Sequence, residues 1–143
     1  MAVLESGVMF GGIPIVKKSY YDERSTSTIL TTGLLEAIQS FAIEVFNDET
    51  EIFRMKKYSI YLYKIKLTSN QIVTIYCICD SADKTNIVKE IMKSIADKFA
   101  TQFSNVDLGC LDNYKKFENA ITKSFGDMIY RSDERLRKVF FDE

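Results

Sequence analysis

Histidine is missing from this chain altogether, and so is tryptophan. Without imidazole there is no ordinary general base near neutral pH. There is no Ser-His or Cys-His nucleophile pair, and the commonest transition-metal ligand is gone. Any catalysis would fall to lysine, tyrosine and carboxylates. The reading is therefore non-enzymatic, with no catalytic residue, no cofactor and no metal expected. Proline occurs once, at Pro14, and no low-complexity tract is present, which argues against long disordered segments. Cysteine is scarce and odd in number: Cys77, Cys79 and Cys110, with no CxxC pair. That argues against a disulfide framework or a zinc site and for free buried thiols in a reducing cytosol. Charge of either sign is in balance, −1 net with a pI near 5.6, so the chain has no field to draw in nucleic acid or anionic lipid. No apolar run nears the roughly 18–20 residues that span a bilayer. The start, Met1 to Glu5, lacks the basic and apolar regions of a secretory signal. A cytoplasmic protein is expected, with any membrane contact made through partners.

What is present suits one globular domain. The 143 residues are 46% apolar and 27% charged, enough to bury a core without staples. Leu4 to Phe10 reads as a first strand, Gly11-Gly12 as a turn, and Ile13 to Tyr20 as a second strand. Pro14 cannot donate to a ladder, so that second strand belongs at a sheet edge. Ser25, Thr26 and Ser27 are candidate N-caps for a helix that ends at Asn47-Asp48. Three strands follow: Glu51 to Lys57, Tyr58 to Leu67, and, after the turn Thr68 to Gln71, Ile72 to Cys79. The last is apolar at nearly every position, the mark of a central strand covered on both faces. Asp80 and Asp83 read as caps of a second helix, about Lys84 to Phe103, with Ile87, Val88, Ile91, Met92, Ile95 and Phe99 at helical spacing. A third helix is expected from about Asn113. The order β-β-α-β-β-β-α-α with short connections predicts an α+β fold with a mostly antiparallel sheet.

This order resembles the longin domain. The stretch Gly7-Val8-Met9-Phe10-Gly11-Gly12-Ile13-Pro14-Ile15-Val16 is similar to that family's opening hairpin. Leu30 to Phe46 resembles its first helix, and Ile75 to Asp80 its last strand with an acidic exit. The related roadblock domain adds a helix before the first strand, for which this chain has no room. The resemblance covers residues 3 to 130, so we divide the chain into a longin/roadblock-like domain (1–130) and a charged amphipathic tail (131–143). It implies a five-stranded sheet between one helix and two, and a non-catalytic module: a dimerising platform for regulators of small GTPases, or a subunit of a vesicle-trafficking complex. Neither heptads nor an anchor follows the domain, unlike the SNARE members of the family.

The first helix carries more apolar surface than one sheet needs. At about 100° per residue, Ala37, Leu30, Phe41, Leu34, Val45 and Ile38 fill a sector of roughly 100°, the expected core stripe. Ala42, Leu35 and Phe46 widen the arc to roughly 180°. This surplus is assigned to a homodimer or heterodimer interface, the alternative being cover by a loop or by the tail. The strand Glu51 to Lys57 is a second candidate. The longin resemblance implies that it lies at the edge opposite the second strand, where free backbone groups could continue the sheet into another chain. Phe53 and Met55 share one of its faces, and Arg54, Lys56 and Lys57 double as gatekeepers against unwanted pairing. The interface set is thus Leu35, Ala42, Phe46, Phe53 and Met55.

Other patterns carry less. Gly7, Gly11 and Gly12 fit no phosphate-loop spacing. Tyr58, Tyr61, Tyr63 and Tyr76 near lysines could stack RNA, but helices are expected over both faces of their sheet. Leu136, Val139 and Phe140 of the tail either pack on the domain or dock to a partner. A competing function is a small-molecule sensor of PAS or GAF type, which also uses a five-stranded antiparallel sheet and needs a cavity beneath its helices.

Overall fold

The computed structural model describes residues 3–20, 28–80 and 85–126. The expected caps Ser25 to Ser27 and Asp83, and the tail from 131, lie outside the described residues. Within them the order is β1 (Val3–Phe10), β2 (Ile13–Ser19), α1 (Thr28–Phe46), β3 (Ile52–Arg54), β4 (Tyr58–Lys66), β5 (Ile72–Asp80), α2 (Thr85–Gln102) and α3 (Phe117–Phe125). A 3₁₀ turn, Leu111–Tyr114, precedes α3. The strands form one antiparallel sheet in the order β2-β1-β5-β4-β3. The expected α+β architecture and element order are those observed.

Local chemistry explains the turns. Gly11 and Gly12 both have positive φ, 56° and 81°, as a two-residue hairpin loop of type I′ requires. Pro14 sits on the outer strand, where its missing N–H interrupts no inner ladder. The pairing slips beside it: Val8 faces Val16 but Met9 faces Pro14, leaving Ile15 as the extra residue of a bulge. Asn47, at φ 52°, ends α1 with its N–H on the Ile43 carbonyl at 2.9 Å.

β5 lies at the centre of the sheet and is buried on both faces from Val73 to Cys79, as its unbroken apolar run predicts. The larger core lies under α2 and α3. Val88, Met92, Ile95 and Phe99 of α2 and Phe117, Ile121 and Phe125 of α3 close over Val73, Ile75, Cys77 and Cys79. Phe99 meets Phe117 edge to face at 5.1 Å, and Phe103 meets Tyr114 at 4.8 Å. Gln71 staples the loop after α2 to the β4–β5 hairpin. Its Oε1 accepts from Val106 N–H at 2.7 Å and its Nε2 donates to the Val106 carbonyl at 3.0 Å.

Two boundaries differ from expectation. β3 has three residues where seven were expected, because Lys56 and Lys57 lie in the turn closed by Met55 N–H on the Tyr58 carbonyl at 2.7 Å. α3 begins at Phe117, not near Asn113. The Tyr114 phenol accepts from Asp107 N–H at 2.8 Å and donates to the Asn105 carbonyl, which holds the preceding turn apart from the helix.

Candidate partner-docking surface

The smaller core, under α1, joins Leu35 to Met9, Ile60, Leu62, Tyr76 and Ile78. It surrounds a polar relay on β1. Tyr76 Oη donates to Glu5 Oε2 at 2.8 Å, and Ser19 Oγ donates to Glu5 Oε1 at 3.1 Å. Glu5 is 5% exposed. Gly7 makes room for this arrangement: a Cβ there would stand 2.3 Å from the Val16 carbonyl oxygen and 2.9 Å from the Tyr76 ring and hydroxyl. The sheet face beneath α1 is thus partly polar.

That polarity accompanies an unexpected roll of α1. The inward side chains are Thr31, Thr32, Leu35 and Gln39. The predicted core stripe faces out: Leu30 is 67% exposed, Leu34 58%, Phe41 60% and Val45 56%, with Ile38 half-buried. The assignment of faces is therefore corrected. Leu35, expected on the outer surplus, is fully buried, so it is core and not surface. Ala42 is half-buried at the boundary. Phe46 is 69% exposed and meets the Phe41 ring edge to face at 6.2 Å. Close approach on the other flank explains part of the roll. A Cβ on Gly12 would lie 3.2 Å from Glu36 Cβ and 3.8 Å from the Thr32 carbonyl, so α1 leans on the hairpin turn through its small, polar side. The cost is visible at Gln39, whose amide nitrogen and oxygen are both buried without a hydrogen-bond partner among the described residues.

β3 lies at the sheet edge opposite β2, as expected. Phe53 stands opposite Ile60, which belongs to the α1-side core, so Phe53 and Met55 share the face that α1 covers. Both are exposed there. The structure therefore places Phe41, Phe46, Phe53 and Met55 at the surface and removes Leu35. Leu30, Leu34, Ala37, Phe41 and Val45 are surface residues that sequence reasoning assigned to the core. Their signal was the alternative inward set Thr31, Thr32 and Gln39, which a partly polar sheet face accepts.

Charge at this surface is divided along the chain. Asp48, Glu49 and Glu51 precede β3, and Arg54, Lys56 and Lys57 follow its start. Glu51 is bonded to Lys89 of α2 at 3.1 Å. No group of three or more cysteines and carboxylates able to hold a metal occurs among the described residues. Cys77 and Cys79 are fully buried, with Sγ atoms 3.5 Å apart, but Cys110, also expected to be buried, is exposed in the loop before α3. Burial first, and then the neighbouring Cys79, push the Cys77 thiol well above its ordinary value of 9.0, which favours the protonated packing form. No helix among the described residues is long and apolar enough to cross a membrane. Among the described residues, one open groove lies over α2 and α3 at Lys93, Asp97, Lys98 and Ala120, and another runs along Asp48 to Ile52 beside β3. A scan against models of known protein families and a search of curated proteins found no match to this chain.

Proposed function

We propose that this chain is a non-catalytic docking module that binds other proteins through the outer face of α1 and the β3 edge, as a small-GTPase regulator or adaptor or a subunit of a trafficking complex. The observation that carries it is the inverted helix: Leu30, Leu34, Phe41, Val45 and Phe46 are exposed while threonines and a glutamine are turned inward. The exposed parts of these residues amount to on the order of 600 Å², at the upper end for the largest apolar patch of a monomer and approaching one partner's share of a standard interface. A helix with that face in water gains by association, because its apolar area leaves solvent.

The segment Asp48 to Lys57 supports pairing with a second copy. Its first half is acidic and its second half basic. An antiparallel approach of two β3 edges about a two-fold axis sets each acidic half against the other's basic half, and a parallel one sets like against like. The GTPase and trafficking classes rest on the resemblance of the Gly7–Val16 hairpin and of the element order to longin domains. A sensor of PAS or GAF type finds less support, since the α1-side core residues Met9, Leu35, Ile60, Leu62, Tyr76 and Ile78 pack against one another.

Light scattering after size exclusion tests the interface. A dimer is expected at micromolar concentration, and Leu34→Asp should dissociate it. A species that stays monomeric at high micromolar concentration and fails to bind small GTPases in either nucleotide state would remove the proposal.

A further inference from the structure

Two stripes run along α1, one residue apart. The side chains turned to the sheet are Thr31, Leu35, Gln39 and, at the margin, Ala42. Each is preceded by an apolar residue: Leu30, Leu34, Ile38 and Phe41. A roll of about 100° with a slide of about 1.5 Å moves every side chain into the place of the next one. Leu34 then takes the place of Leu35 in the core of Met9, Ile60, Leu62, Tyr76 and Ile78, a leucine for a leucine. Leu30 takes the buried place of Thr31, Ile38 that of Gln39, and Phe41 the half-buried place of Ala42. Leu35 moves to the half-buried place of Glu36 beside Gly12. Thr32 and Gln39 move out to the exposed places of Gly33 and Ser40.

Opposed forces act on the two seats of the helix. In the observed seat the Gln39 amide is buried with neither its nitrogen nor its oxygen bonded among the described residues, and the roll returns it to water. The roll also takes Leu30 and Leu34 out of water. Against it stands the partly polar face of the sheet, where Glu5 bonds Ser19 and Tyr76 and which a more apolar helix side covers less well. The connection after α1 leaves room for the movement. It is exposed at Asn47, Asp48 and Glu49 and is pinned to the sheet and to α2 at Glu51, by Leu62 N–H and Lys89. We propose that α1 has this second seat as a minor state, and that the roll masks the docking face by laying Leu30, Leu34 and Ile38 on the chain's own sheet. A partner that binds the observed seat alone shifts the population towards it. The masking rests on the α1 docking reading; the existence of the two seats does not.

Thiol labelling of the full chain, at concentrations where it is monomeric, reads both seats. In a Cys110→Ser background the buried Cys77 and Cys79 stay silent in the folded protein. The thiol of Leu30→Cys is exposed in the observed seat and covered in the second; that of Thr32→Cys is the reverse. Adding Leu35→Gln places an amide in the observed core but only at the half-buried margin of the second seat. It should slow Leu30→Cys and speed Thr32→Cys, each at least ~10-fold, with the helical circular dichroism unchanged. Adding Gln39→Leu favours the observed seat and should slow Thr32→Cys at least ~10-fold. Faster labelling of both thiols with Leu35→Gln is local unfolding and overturns the proposal, as do unchanged rates. If Leu35→Gln does not fold, Gln39→Leu decides alone, and an unchanged Thr32→Cys rate overturns the proposal. No partner enters these rates, so a single-seated helix leaves the docking reading standing, and a failure to dimerise or to bind a partner leaves the two seats standing.

Discussion

The rings of Phe41 and Phe46 touch edge to face at 6.2 Å on the outside of α1, each more than half exposed. Two aromatic side chains holding one another in water contribute little to the monomer, because neither is removed from solvent. Replacing both with aspartate should change stability by no more than about 0.5 kcal/mol, the usual range for surface sites. The same change should abolish self-association and partner capture. Thermal melting and sedimentation on one double variant separate the two effects. A large loss of melting temperature would show that these rings pack against the rest of the chain.

The neighbours Leu34 and Leu35 decide the roll of the helix. Leu35 has no exposed surface, and Leu34 is mostly exposed. Leu35→Ala should cost about 2–5 kcal/mol, by lost transfer energy and the cavity left behind. Leu34→Ala should cost less than about 0.5 kcal/mol. Urea unfolding of the two variants gives the answer. The opposite order would put the predicted stripe back on the sheet.

Most of the architecture was legible because it rests on local rules. Two glycines marked a turn, Pro14 an edge, and the unbroken apolar run of β5 a central place. The roll of α1 was not legible by the same means. An arc of roughly 180° contains two candidate faces, and periodicity alone cannot say which meets the sheet. That choice depends on what lies opposite: the Glu5 carboxylate, the Tyr76 hydroxyl and the bare backbone of Gly7, brought together only by the pairing of β1 with β5. Among the predicted interface residues Phe46, Phe53 and Met55 are at the surface and Leu35 is not. The extent of β3 was hidden for a related reason, since two lysines compatible with an edge strand are equally compatible with a turn.

The Tyr76–Glu5 bond should be worth a measurable part of the stability. Tyr76→Phe keeps the ring in place and leaves a buried carboxylate short of one donor, a loss of about 1–3 kcal/mol. Gly7→Ala should cost more, because the added methyl meets backbone as well as the ring. Equilibrium denaturation checks both. Wild-type stability in Tyr76→Phe would mean that the bond forms at no net gain over water.

Cysteine chemistry offers a test of the larger core that is independent of any partner. Cys110 is exposed and Cys77 and Cys79 are buried, so a thiol reagent should label one cysteine at once and the other two only on unfolding. The Asp107 carboxylate raises the Cys110 thiol, so even that reaction should lag behind free cysteine near pH 8. Burial also sets a pH dependence. Cys77 ionises near 9.0 in the unfolded chain and well above that in the fold. Below pH 9 it is protonated in both states and its contribution is fully present. As pH rises past 9 the unfolded state sheds a proton that the folded state keeps, and stability falls. Burial of the Tyr20 phenol, only partly offset by its bond to Thr122, acts in the same direction from about pH 10. Cys77→Val should therefore flatten the alkaline limb of the melting curve relative to wild type while leaving the values near pH 7 almost unchanged. Parallel limbs in the two proteins would mean that Cys77 does not reside in a dry core.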